Sequence, residues 1–335
     1  MPSERTKAKL HFALGQSGGT MSRFRLVPVA EPTSRSEAAL RHGHPAMSEG
    51  RTVFPTRVCD AGQRDHILMR GFHNSKIGDR ITKGAWAGFP IFTVTLEERA
   101  TCPRSCAVWD ACYGNAMPVA VRFRYNDGFL LSLEEELVAV GDRYPLGFAV
   151  RAHVLGDFVS LDYVRHWQLW LELVPQLHVW GYTAHQAGTP VGDTVRFMND
   201  LYPGRWAFRH SVTPGTEVTD WQASTTWEKP TQAGRALRGA GGLICPAEMG
   251  ATAACGSCGL CWSPNAASTR IVFLGHGIRR PKGARPRKPD AKYARPIPAS
   301  RNTPPALPSE RFATVEAFIA SRGVTKLPPA KARGL

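Results

Sequence analysis

Seven of the eight cysteines stand in two tight groups. The first runs Cys102-Pro103-Arg104-Ser105-Cys106 and on to Cys112-Tyr113, a C-x3-C-x5-C spacing. A loop that short can wrap three soft thiolates around one inorganic centre and leave a coordination position open. For tetrahedral zinc the fourth position falls to another side chain or to water. For a [4Fe-4S] cluster the uncovered iron is an open site for a small molecule. The second group is Cys245-Pro246 and then Cys255-Gly256-Ser257-Cys258-Gly259-Leu260-Cys261-Trp262, a C-x9-C-x2-C-x2-C spacing. Four thiolates make a closed site, either structural zinc or a fully ligated [4Fe-4S] cluster. The intervening glycines let the backbone turn tightly around it. The run C-x2-C-x2-C lies close to ferredoxin-type spacing, whereas zinc ribbons set two C-x2-C knuckles apart. The blander reading, free thiols packed as small apolar side chains, stands beside ligation for both groups. Cys59 stands alone and reads as an unliganded thiol. Eight cysteines in 335 residues are too few for a disulfide scaffold, and their clustering points to metal rather than cross-links in a cytosolic setting.

The elements that must position these groups alternate. β-Branched and aromatic content predicts strands over 90–96, 148–154, 177–183, 205–212 and a short one over 242–244 that leads into Cys245. Helices are predicted over 117–140, 161–174 and 191–201, the last stopped by Pro203-Gly204. The first cysteine group directly follows the first strand. Alternating β and α segments argue for an α/β fold with a parallel sheet, either a partial or a full (β/α) barrel. In such sheets polar residues at the C-terminal strand ends tend to face a shared site. Arg151, His153 and Asp157 follow the second strand, Tyr182, Thr183 and His185 the third, and Arg209, His210 and Ser211 the fourth. Each alone is more often structural; their recurrence at three strand ends makes them candidates, Asp157 first. A carboxylate there could accept from an amine or a ribose hydroxyl. Asn74 and Lys76 are candidates for a polar lid, and His276 for a cluster cap or a plain loop residue. Trp167, Trp170 and Trp180 read as packing rather than as a base-stacking platform.

The charge sits at the ends. Of the net +15, residues 61–277 contribute zero, with 19 basic and 19 acidic side chains. Residues 278–301 carry nine basic and one acidic. Four units follow: a flexible, Ser-, Pro-, Gly- and Arg-rich arm over 1–60, the metal-binding domain over 61–277, a basic Pro-rich linker over 278–309, and a short amphipathic helix and tail over 310–335. The linker could lie on DNA or RNA phosphates or simply be solvated. No apolar run approaches the roughly 20 residues of a membrane helix, which excludes a membrane-spanning role. Nothing in the sequence sets the oligomeric state.

A strand, a three-cysteine loop with Tyr113 after the last cysteine, a helix, and a second strand followed by Leu155-Gly156-Asp157-Phe158 together resemble the radical S-adenosylmethionine superfamily. There the third cysteine usually follows the second by two residues rather than five, and Gly-Glu is usual where this chain has Gly-Asp. The resemblance implies S-adenosylmethionine on the open iron of a first [4Fe-4S] cluster, cleaved by one electron. It further implies a cofactor-binding role for Gly156 and Asp157, to which Tyr182, Thr183 and Ser211 are added as candidates. Arg151, His153 and Asp157 become the candidate catalytic residues.

Residues 70–277 also resemble a phage and prophage family typified by mycobacteriophage gene product 88. That likeness rests on Thr101-Cys102-Pro103, Cys106, Cys112-Tyr113, the run from Arg151 to Asp157, Gly181-Tyr182-Thr183, Cys245-Pro246-Ala247, Cys255, Cys258, Cys261 and the run from Ile271 to Gly277. It implies a phage-encoded protein of the host cytoplasm. Two functions remain open: an iron–sulfur enzyme acting on a nucleic acid or nucleotide, and a non-enzymatic zinc or iron–sulfur protein that binds nucleic acid.

Overall fold

A computed structural model describes residues 44–228, 233 and 241–275. Its strands are β1 (Val58–Cys59), β2 (Met69–Arg70), β3 (Ile91–Thr93), β4 (Arg122–Phe123), β5 (Phe148–Arg151), β6 (Leu177–Thr183), β7 (Trp206–Val212), β8 (Gln222–Thr226), β9 (Gly242–Ile244) and β10 (Arg270–Leu274). Its helices are α1 (Pro45–Glu49), α2 (Asp127–Arg143), α3 (Leu161–Leu173), α4 (Pro190–Leu201) and the single turn α5 (Cys255–Cys258). The fold is mixed α/β around one mostly parallel sheet of eight strands, in the order β2-β3-β5-β6-β7-β8-β10-β9. Only β2 runs antiparallel to its neighbour. A separate pair joins β1 to β4. Among the described residues no helix is long and apolar enough to cross a membrane.

Strand pleating sorts the core onto two faces. Phe148, Val150, Val179, Trp206 and Phe208 point one way, into a core shared with Phe129, Leu133 and Leu137 of α2, Tyr163, Trp167 and Trp170 of α3, and Val195 and Met198 of α4. Ala149, Trp180 and Ala207 point the other way, and meet Ile77, Ile81, Trp86, Cys261 and Trp262. The three crossover helices therefore cover one face. The second cysteine loop and the chain near residues 77–86 cover the other.

Local chemistry explains the helices. Ser160 caps α3 by accepting the Tyr163 N–H, and the buried residues Tyr163, Val164, Trp167, Trp170 and Leu171 follow helical spacing. Asn126 caps α2 through the Phe129 N–H, and Thr189 caps α4, with Pro190 at its first position. Truncating a buried Trp such as Trp167 to Ala costs about 3–5 kcal/mol.

Several expectations change. The helix expected from 117 starts at Asp127, because β4 and the Asn126 cap occupy the chain before it. β8, Gln-Ala-Ser-Thr-Thr, lacks an apolar pattern and is a strand because β7 and β10 flank it on both sides. The arm expected over 1–60 does not extend to 60. His44, Ala46, Met47, Val53 and Phe54 are buried, and this segment clasps the first cysteine loop. Trp109 Nε1 donates to the Met47 carbonyl at 3.0 Å, Arg104 reaches the Met47 and Ser48 carbonyls, and Thr52 Oγ1 donates to Glu98 at 2.7 Å. The linker over 278–309 and the tail over 310–335 lie outside the described residues.

Candidate functional site

The first cysteine group follows β3, the second runs between β9 and β10, and none of the eight cysteines is disulfide-bonded. Cys245 follows β9 and extends its pairing, donating its N–H to the Val272 carbonyl at 2.8 Å. Cys255 and Cys258 bracket α5, which is fastened to the chain before β3: Cys255 N–H donates to Lys76 and Gly256 N–H to Ile77, while Thr82 N–H donates to the Gly256 carbonyl. A side chain at Gly256 would run into the Arg80 carbonyl oxygen, so only glycine permits this approach. Gly259, at φ 77, then reverses the chain toward Cys261. All four sulfur-bearing residues line one pocket, with Pro246, Leu260, Trp262 and Ile271 among its walls.

The surroundings of this pocket concern charge. Burial, and then neighbouring cysteines, push the Cys255 thiol up to about 12; burial first pushes Cys245 up to about 11. Burial also raises Cys261, against a hydrogen bond from Tyr182 and the nearby Arg209 charge. Arg209 itself is fully buried and donates to five carbonyls, those of Gln222, Leu260, Cys261, Ala266 and Thr269. The acidic groups it feels are the Cys261 thiol and the Tyr182 hydroxyl, not a carboxylate. A buried cation without a carboxylate is expensive unless another anion stands beside it.

The first loop is built the same way. Glu98 and Arg122 form a bidentate, fully buried ion pair, at 2.6 and 3.1 Å. Arg122 also takes the carbonyls of Gly114, Met117 and Ala120, fixing the loop's return. Arg99 adopts a left-handed φ of 67 and donates to Asn115 Oδ1 at 2.6 Å and to the Trp109 carbonyl. Its charge opposes the burial that raises Cys112 and the burial that pushes Cys106 up to about 12. Cys102 is raised by burial and then by Asp157, Cys106 and Cys112, which places these four groups within electrostatic reach of one another.

The strand-end candidates divide. Asp157 is buried, and its carboxylate accepts the N–H groups of Phe158 at 2.8 Å and Ala184 at 2.7 Å. It ties the loop after β5 to the loop after β6 beside the first cysteine group. Burial raises its carboxyl, opposed by His185 and these donors. Gly156, at φ 82, is where a Cβ would stand 2.6 Å from both Leu96 Cβ and Thr101 Oγ1; its job is close packing under the loop. Thr183 Oγ1 accepts the His185 N–H. Arg151 is half-buried, and its Nη1 donates to the Ala152 and His153 carbonyls. It is felt by Tyr113 of the first loop and by Cys255 and Cys261 of the second. Tyr182 turns to the second group, where its hydroxyl donates to Cys261 Sγ at 2.8 Å.

Other candidates lie elsewhere. His153 is buried among Phe158, Tyr163 and Trp167, with Nε2 3.0 Å from the Tyr163 hydroxyl, so it belongs to the helix-side core rather than to a reagent's position. His185 Nε2 and His210 Nδ1 meet the Phe158 and His185 carbonyls. Ser211 offers its carbonyl to Gln186. Asn74 accepts the Lys76 N–H, and Lys76 pairs with Glu248, so both support the second loop instead of forming a lid. Trp167, Trp170 and Trp180 are fully buried and present no stacking platform. Cys59 sits in the small sheet opposite Phe123. His276 lies outside the described residues. Sequence reasoning missed Thr52, Glu98, Arg99 and Arg122; the signal for the last three was charge flanking the cysteine loop, and Thr52, fifty residues upstream, gave none.

Among the described residues no three His, Cys, Asp or Glu side chains close on a point that one metal ion could fill. Thiolates of a four-iron cluster each bind a different iron and therefore stand farther apart than the ligands of a single ion. The donor set, all sulfur, the apolar pocket walls and the uncompensated Arg209 fit such a group at the second site. No family model matches the chain, and no curated protein or solved structure matches it.

Proposed function

We propose that the chain is an iron–sulfur protein of phage type, with Cys245, Cys255, Cys258 and Cys261 holding one [4Fe-4S] cluster and Cys102, Cys106 and Cys112 a second with one iron open. The observation that carries the reading is four unlinked cysteines lining one pocket, beside a buried arginine that, among the described residues, has no carboxylate as an ion-pair partner. The sequential parallel order β3-β5-β6-β7-β8, with all three crossover helices on one face, supports the wall of a partial (β/α) barrel of radical S-adenosylmethionine type.

When bound, the open-iron centre would supply an electron and a coordination place for a small molecule such as S-adenosylmethionine. The chain's own residues do the rest. Arg99 offsets thiolate charge, the Glu98–Arg122 pair holds the loop, Asp157 joins the two neighbouring loops near Cys102, and the segment 44–54 fastens the loop through the Met47 and Ser48 carbonyls. A nucleic acid or nucleotide is the proposed substrate class, recruited by the nine basic residues of 278–301.

Anaerobic reconstitution with iron and sulfide tests this. The expected product is brown, with absorbance near about 400 nm and about eight irons per chain, two four-iron clusters. Added S-adenosylmethionine and reductant should then yield deoxyadenosine and methionine. A fully loaded protein that yields neither overturns the enzymatic part. A colourless, zinc-loaded protein overturns the whole and favours the second reading, a zinc protein that binds nucleic acid through the same basic segment.

A further inference from the structure

Tyr182 approaches the second cysteine group from the neighbouring sheet face. β6 delivers it, the Arg151 guanidinium lies 4.6 Å over its ring, and Phe273 packs edge-on at 5.1 Å. Held between them, the phenol has one described partner for its hydroxyl, the Cys261 sulfur at 2.8 Å. The first group differs. Backbone N–H groups act on sulfur in both groups, of Arg99, Val108 and Gly114 on Cys102, Cys106 and Cys112 in the first and of Ala247 and Glu248 on Cys245 in the second, whereas among the described residues a phenol donor reaches sulfur in the second alone.

Hydrogen bonds to cluster sulfurs and nearby positive charge stabilise the more negative, reduced form of a centre, and so raise its potential. A cation over the ring face makes the phenol a stronger donor. Arg151 adds its own charge within reach of Cys255 and Cys261. We infer that Tyr182 and Arg151 are positioning residues that hold the second centre at a higher reduction potential than its four thiolates alone would set. The inference rests on the iron–sulfur reading of that site.

The test uses the full chain with Cys102→Ser, so that the second centre alone is reconstituted and observed. Tyr182→Phe and Arg151→Gln are placed on this background. Iron and sulfide content reports loading; a dithionite titration followed by electron paramagnetic resonance reports the midpoint potential. The expected result is equal loading with a lower midpoint potential in both variants, the larger shift in Tyr182→Phe. Equal loading with unchanged potentials overturns the inference and leaves the iron–sulfur reading intact. A parent chain that takes up no iron overturns both. If Tyr182→Phe fails to load, Arg151→Gln decides alone: a lowered potential supports the inference and an unshifted one defeats it.

Discussion

Arg209 is a full positive charge with no exposed surface and no carboxylate among the groups it feels. Its five carbonyl partners orient the Cys261 loop, and its charge needs an anion there. Arg209→Lys keeps the charge but cannot reach five carbonyls at once. It should therefore reduce iron at the second centre while the first still loads, bringing the content toward that of Cys258→Ser. Iron and sulfide analysis of both variants checks this. His153 makes a different demand. Burial, aided by the neighbouring Arg151, pushes its imidazole down to about 3, so the folded protein keeps it neutral. The unfolded chain takes up that proton near about pH 6.5. Between those values the unfolded state binds more protons, so stability falls as pH falls, by up to about 1.4 kcal/mol per unit. His153→Gln should show a shallower loss of urea midpoint from pH 6.5 to 5 than the parent chain.

At the scale of elements, the first cysteine loop depends on what fastens it. Removing one partner of a buried pair leaves the other charge stranded, at about 3–5 kcal/mol. Glu98→Ala should lower stability by that order, with the denaturant slope unchanged, and should empty the first centre before the second. The elements were legible where pattern is local. The β-branched and aromatic content of 177–183 marks β6 to the residue, and the short strand expected at 242–244 is β9. β8 was not legible, because Gln222, Ala223 and Ser224 are buried by neighbours rather than by hydrophobicity. The clasp at residues 44–54 was hidden in a Pro- and Ser-rich stretch whose apolar Ala46, Val53 and Phe54 pack with one another and whose Thr52 finds its partner Glu98 46 residues away. Both cysteine groups were visible because their members are close in sequence. The link from Tyr182 to Cys261 spans 79 residues, and no local pattern announces it. Asp157 was found by its place after a strand, but its backbone partners became visible only in the fold.

At the scale of the molecule, the neutral middle and the basic end should separate. Deleting residues 278–335 should abolish most retention on DNA or RNA and flatten its salt dependence, with cluster content unchanged, as filter binding at several salt concentrations would show. The second cysteine group also occupies an unusual position in the sheet. β10 inserts between β8 and β9, so the three-residue β9 closes the sheet while Cys245 leaves its end and Cys261 precedes β10. An inorganic group gripping both cysteines would thus rivet the sheet's last rung in place. Stripping it with a chelator should let that rung peel away and uncover the β10 backbone, and bare strands invite pairing between molecules. Loss of iron should then register first as concentration-dependent clumping, ahead of any change in helix content.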